Sequence, residues 1–242
     1  MVEDVRVPVD GARADRGRRA GLILDTAAEL LVAWGYRRVT IDEVARRAGV
    51  GKGTVYLHFS TKEELFLTVM MRSQRTMVER VLAECRTDPS TILFSGLARL
   101  AYLAVHDDPI MRAMLVGDAE TLGALTRVAP DVVGDLLEVR LRMFGDYVRV
   151  LREHELLRRD VSPELQWHAY GAIMTGFLVF EPFRTGAAGV TERADMLRRV
   201  VRSSFETGAP AEAVRQAAPA VVALFQDYHH RLHQEIEKRT LT

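Results

Sequence analysis

The sequence predicts an all-α protein, and three observations predict it. Apolar residues recur at helical spacing from near residue 20 to the end of the chain, and the period-two alternation of strands is absent. Helix-start signals punctuate the second half. Asp108-Pro109 and Ser162-Pro163 are each a capping residue followed by Pro at the first helical position, and Pro130-Asp131 puts Pro just outside the next cap. Between residues 40 and 65 a capped helix, a glycine turn and a short second helix succeed one another closely enough to form a helix-turn-helix, whose second helix can enter a DNA major groove.

The elements are expected in this order. Residues 1–16, with Pro8, Gly11 and mixed charges, read as a flexible basic arm. The first helix runs from about Arg18 to Trp34, with Leu22, Ile23, Ala27, Leu30, Leu31 and Trp34 at helical spacing and Gly35 as its stop. Thr40 and Glu43 form a capping box for a helix with Ile41, Val44, Ala45 and Ala48 on its apolar side and Arg46 and Arg47 toward solvent. Gly49 supplies the turn. A short helix follows from about Gly51 to Phe59, anchored by Val55 and Phe59. Ser60 with Glu63 makes a second possible capping box, opening a long helix to about Arg86. Further helices begin near Ser90, Asp108, Asp131, Ser162, Thr191 and Ala211, and Pro219 divides the last segment, leaving a final helix from about Ala220 to Lys238.

A chain of 242 residues has room for one large or two small domains. Its formal net charge is zero, but the distribution is uneven. Residues 13–62 hold ten basic side chains against five acidic ones, so this block is +5 and the remainder is −5. A basic head on an acidic body is the electrostatic footprint of a DNA-contacting protein. The single Cys85 cannot form an intramolecular disulfide and reads as a packed thiol rather than a redox sensor. The N-terminal segment lacks a signal peptide's apolar core, and the longest apolar run, Ala169 to Phe180, falls short of the about 20 residues that span a bilayer. These features predict a cytoplasmic protein with no membrane association.

The run Thr40, Val44-Ala45, Ala48-Gly49-Val50, Gly53-Thr54, Tyr56, Phe59, Lys62-Glu63 and Leu65 resembles the DNA-binding domain of the tetracycline-repressor (TetR) family of bacterial regulators. The resemblance covers roughly residues 17–66; beyond it only the helical layout matches. It implies a helix-turn-helix domain over 17–65 and a helical ligand-binding and dimerisation domain over 66–242. It also implies DNA contacts from Gly53 and phosphate contacts from Thr40, Thr54, Tyr56, His58 and Lys62, whose hydroxyl, imidazole and ammonium groups suit an acceptor-rich anion. Lys52 can donate to guanine, Val55 can touch a thymine methyl, and Leu57, between contact positions, also faces the groove. Arg18 and Arg19, with Arg13 and Arg16, can reach phosphates or a minor groove. Gly51 departs from the Ser often found there, which removes one hydroxyl contact.

The resemblance further implies a homodimer on a pseudo-palindromic double-stranded DNA operator, released by a small hydrophobic effector. The dimer interface is expected on the helices near 162–180 and 192–207, where Leu165, Ala169, Ala172, Ile173, Gly176, Phe177 and Phe180 share a face. An apolar pocket is expected from Phe94, Tyr102, Met111, Met114, Phe144, Tyr147, Tyr170, Met174 and Phe177, since aromatic and Met side chains line adaptable pockets as well as cores. A catalytic reading finds no nucleophile elbow, P-loop or dinucleotide fingerprint, and no cofactor is expected. His229 and His233, four apart with Glu237 at the next step, have a zinc-like spacing but read as a solvated helix face. Two alternatives remain open: a DNA-binding regulator or architectural protein without a small ligand, and a helical enzyme with a DNA-binding head.

Overall fold

The computed structural model describes residues 9–115, 134–180 and 188–241, the side chains at 9, 10, 12 and 113–115 excepted. Among these residues every regular element is a helix, and the one extended pairing is an isolated bridge between Leu157 and Glu206. The helices are α1 (Val9–Trp34), α2 (Ile41–Ala48), α3 (Lys52–His58), α4 (Lys62–Thr87), α5 (Phe94–Asp107), α6 (Pro109–Leu115), α7 (Leu136–Glu153), α8 (Pro163–Val179), α9 (Val190–Phe205) and α10 (Ala211–Leu241). A single 3-10 turn, Pro89–Ile92, joins α4 to α5.

The head is built by α1 to α3 on the start of α4. Ile23, Leu24, Ala27, Leu30 and Leu31 of α1 meet Val39, Ile41, Val44 and Ala45, with Val55, Phe59, Leu65 and Phe66 closing the core. Two expected members of the α1 stripe, Leu22 and Trp34, are exposed instead. Trp34 lies under the Arg47 guanidinium, 4.6 Å from the ring centre, which gives its exposed face a cationic cover. The arm expected over 1–16 is helical from Val9 onward: α1 begins about three turns ahead of its buried stripe.

Caps set the boundaries. Thr40 accepts from the Glu43 N–H at 3.2 Å, as half of the expected capping box, but the Glu43 carboxylate turns forward to Arg46 and Arg47. The second cap is shifted by one residue: Thr61 accepts from the Glu64 N–H at 3.0 Å, and the Glu64 carboxylate takes both the Ser60 N–H and its hydroxyl. Glu64 rather than Glu63 closes the box because Glu63 is held by the Tyr36 hydroxyl at 2.9 Å. Ser162 and Asp108 cap α8 and α6 as expected.

The body packs α5 on α9 and lays α10 along α4 and α7. Gly96 permits the close approach of α5 to the 3-10 turn, where a Cβ would sit 2.6 Å from the Ser90 carbonyl oxygen. The buried Glu206 carboxylate accepts the Ser95 N–H at 2.8 Å and so caps the start of α5 from the end of α9. Pro219 does not divide the last segment. α10 runs through it without a break, since the loss of one N–H is offset by the stripe Val214, Ala217, Val221, Phe225, Tyr228, Leu232 and Ile236, buried on both sides of the proline.

Candidate nucleic-acid interface

The turn between α2 and α3 starts from Gly49, whose φ of +65° is left-handed. This lets the Val50 N–H reach back to the Ala45 carbonyl at 3.0 Å and redirects the chain into α3. α3 then buries one side and shows the other. Val55 is 0% exposed and Phe59 is equally buried, so together they fasten the helix to the head core. Lys52, Gly53, Tyr56 and Leu57 face outward, Leu57 with 83% of its surface in solvent. Thr54 and His58 are half-buried at the rim.

Most of the predicted contact residues therefore lie on one accessible ridge, with one correction. Val55 cannot touch a thymine methyl, because the whole side chain is inside the core. A four-residue step from Val55 to Phe59 is the spacing of a buried anchor pair on a short helix. Leu57 is the apolar side chain this surface offers.

The polar residues are partly engaged. The Lys52 ammonium pairs with Asp42 at 2.9 Å, and that carboxylate raises its pKa. Both groups are largely solvated, so the pair is one that a phosphate or base can displace. Lys62 donates to the Tyr36 carbonyl at 2.7 Å and sits 4.1 Å above the Tyr36 ring, with its pKa lowered chiefly by burial. An ammonium has three donors, and the Tyr36 carbonyl takes one. Thr40 is exposed, with its hydroxyl oxygen at the α2 cap.

His58 is depressed below the usual imidazole range by burial and by the positive charges of Arg16 and Arg19. Its Nδ1 is buried and has no hydrogen-bond partner among the described residues. α1 packs against α3, and Arg16 and Arg19 of α1 are the positive charges that act on His58. Arg18 pairs with Asp15 one turn back and is exposed. The arginines of the expected arm thus stand on a helix that flanks the recognition surface.

In the body, the predicted pocket residues separate into two groups. Phe94, Tyr102 and Tyr147 are each 0% exposed, so no water-sized space adjoins them. Phe94 packs on Tyr147, Trp167, Tyr170 and Phe205 with ring centres 4.7–6.3 Å apart. The Tyr147 hydroxyl donates to the Ile92 carbonyl at 2.7 Å, and the Tyr102 hydroxyl accepts from Arg193 at 3.1 Å. These three are core and not pocket wall, a correction to the sequence reading. Tyr170 is buried in the same ring cluster. Phe144 stacks on Trp167 at 4.2 Å, and Met174 and Phe177 are half-buried. Met111 lines a cleft of about 180 Å³ between α4, α5 and α6. The Met114 side chain lies outside the described residues. His229 and His233 are each directed at α4, toward Glu79 and Arg75.

Comparison with known proteins agrees with this geometry. Residues 23–69 match the model for bacterial regulatory proteins of the tetR family. By this match, residues 23–69 form a tetR-family DNA-binding domain. The chain is 33% identical over 136 residues to the transcriptional activator FasR of Mycolicibacterium smegmatis, a match that covers 52% of this chain and 62% of FasR. It is 25% identical over 214 residues to the A-factor receptor protein of Streptomyces griseus, covering 88% of this chain and 73% of the receptor. A solved structure described as the molecular basis for control of antibiotic production by bacterial hormones aligns with a TM-score of 0.55 and 25% identity, over 78% of this chain and 98% of the other. These relatives are regulators rather than enzymes. No helix among the described residues is long and apolar enough to cross a membrane.

Proposed function

We propose that this protein is a TetR-family, sequence-specific DNA-binding transcriptional regulator, acting in the cytoplasm as a homodimer and responsive to a small hydrophobic molecule. The observation that carries the reading is the outward ridge of α3, held on the buried Val55 and Phe59 and flanked by the basic N-terminal half of α1. Lys52 and Leu57 are assigned to base edges, and Thr40, Gly53, Thr54, Tyr56, His58 and Lys62 to the phosphate backbone. Arg18 and Arg19, together with Arg16, extend the phosphate contacts beyond α3.

A second copy fits the face of α8 and α9. α8 is strongly apolar yet buries only Gln166, Tyr170 and Leu178 within its own chain, while Leu165, Val179, Phe180 and Met196 are exposed. Two heads read a pseudo-palindrome when they stand about 34–36 Å apart, one turn of DNA. An effector held among the half-buried Phe144, Met174 and Phe177 and the Met111 cleft shifts the population away from that spacing. The A-factor receptor's name, with the bacterial hormones in the description of the aligned structure, supports a hormone-like molecule as the class of ligand. Release of repression is the first reading, and because FasR is named an activator, assisted activation is the second.

The test is a salt titration of binding to the DNA upstream of this protein's own gene, against a scrambled duplex. Tight, salt-steep binding to the upstream fragment alone supports the reading. Equal and weak binding to both fragments, with no site recovered from random-sequence selection, removes it. A panel of hydrophobic molecules that leaves the melting temperature unmoved counts against the effector.

A further inference from the structure

α10 is a helix of 31 residues, about 46 Å long at the usual rise, and it links parts of the molecule that are far apart. Near its middle it is tied to the body. Phe225 packs on Tyr147 with ring centres 5.8 Å apart, and Arg231 pairs with Asp135 at 2.8 Å. From there it runs antiparallel to α4. Tyr228 donates to Gln74 at 3.0 Å, His229 lies 2.9 Å from Glu79, and His233 lies 3.4 Å from Arg75. Its last turns reach the head. Leu241 lies against Gly17 of α1, where an added Cβ would come within 2.9 Å of it. The Arg239 side chain is 9% exposed, and its guanidinium lies between Glu235 and Glu64, 3.9 Å from the latter.

Glu64 connects this tip to the DNA-binding surface. The same carboxylate that faces Arg239 takes the N–H and hydroxyl of Ser60, at 2.7 and 2.8 Å. Ser60 lies two residues beyond the end of α3. A short path therefore runs from the C-terminal turn of α10 through Arg239, Glu64 and Ser60 to the recognition helix. The chain itself joins head to body only through α4, and a single helix leaves its end free to swing. α6 packs beside α1, and α10 adds a further non-covalent connection that reaches the start of α4 through Glu64.

We infer that the last turn of α10 is a detachable splint that sets the angle of the head. Docked on α1 and Glu64, it holds the head at the spacing that DNA requires. Undocked, it lets the head swing on α4. Arg239 is a positioning residue in this device, since it acts on α3 through Glu64 and Ser60. The consequence for DNA rests on the function proposed above; the mechanical part does not.

The experiment uses the full chain, a variant ending at Glu237, Arg239→Met and Arg239→Lys. The shortened chain keeps the buried Ile236 and loses Arg239 and Leu241. Amide hydrogen exchange and affinity for the selected DNA site are both measured. The expected result is faster exchange in α1 and around residues 60–66 for the shortened chain and Arg239→Met, with α5, α7 and α9 unchanged. DNA affinity should fall roughly tenfold in the shortened chain and Arg239→Met, within the usual range of coupling between sites, and Arg239→Lys should restore both. Unchanged exchange in the head overturns the inference, as does a uniform rise across the body. Altered head exchange with equal DNA affinity in all four proteins overturns the switch. If the unaltered protein selects no DNA site, the proposed function fails, and the exchange data still decide the mechanical part.

Discussion

Val55 and Leu57 show at residue scale how two positions on one short helix acquire opposite roles. Val55 fills the core and Leu57 projects into solvent. Leu57→Ala should therefore change base preference at one position of the site by about 1–3 kcal/mol with little effect on stability, as competition binding with single-base variants will measure. Lys62→Ala should weaken binding to all sequences and reduce the salt slope by about one unit. An unchanged slope would remove Lys62 from the phosphate contacts.

His58 carries a sign that can be worked out. Its folded pKa is depressed below the ordinary imidazole value of 6.5, so the unfolded chain takes up the proton first as pH falls. The contribution of neutral His58 to stability is present above 6.5 and is lost as pH falls toward the folded value. Urea melts between pH 7 and pH 5 should show this loss, and His58→Gln should flatten it. A DNA phosphate near the ring opposes the depression, so affinity should rise over the same interval while the head stays folded. Cys85 is buried, and its thiol is pushed up to about 11, so it should react with a thiol reagent at pH 8 only when the protein is unfolded.

Among elements, the helix-turn-helix depends on Gly49 and on the anchor pair of α3. Gly49→Val forces a β-branched residue into left-handed backbone and should cost more than about 1–3 kcal/mol, read as a shift in the urea midpoint at constant slope. Both the turn and its two helices were legible from residue types alone, because glycine freedom, caps and a 3.6-residue period are local properties. The second cap was displaced by one residue for a non-local reason. Glu63 and Glu64 are alternatives in sequence, and the Tyr36 hydroxyl, 27 residues away from Glu63, takes one and leaves the other to Ser60. Pro219 was misread for a similar reason: its local cost is fixed, but the burial that offsets it comes from α4 and α7.

For the whole molecule, the proposed dimer requires two heads held at a fixed spacing. The exposed apolar residues of α8 and α9 should bury against a second copy. Leu165→Glu with Met196→Glu should give a monomer in sedimentation and abolish tight binding to a palindrome, since one head reads only half a site. A wild-type protein that sediments as a concentration-independent monomer would sink the dimer.

What the sequence determined by itself was the all-α class, the position of the helix-turn-helix and the chemistry of its outward ridge. All of these follow from short-range rules of period, cap and turn. Only the tertiary structure decided which aromatic residues of the body are core. Phe94, Tyr102 and Tyr147 have the spacing and composition of a pocket wall, and only the side chains brought to them by α8, α9 and the 3-10 turn show that no space is left. The same holds for α10. Its stripe is visible in the sequence, but the helices it covers, and the contact its last turn makes with the head, depend on residues more than a hundred positions away.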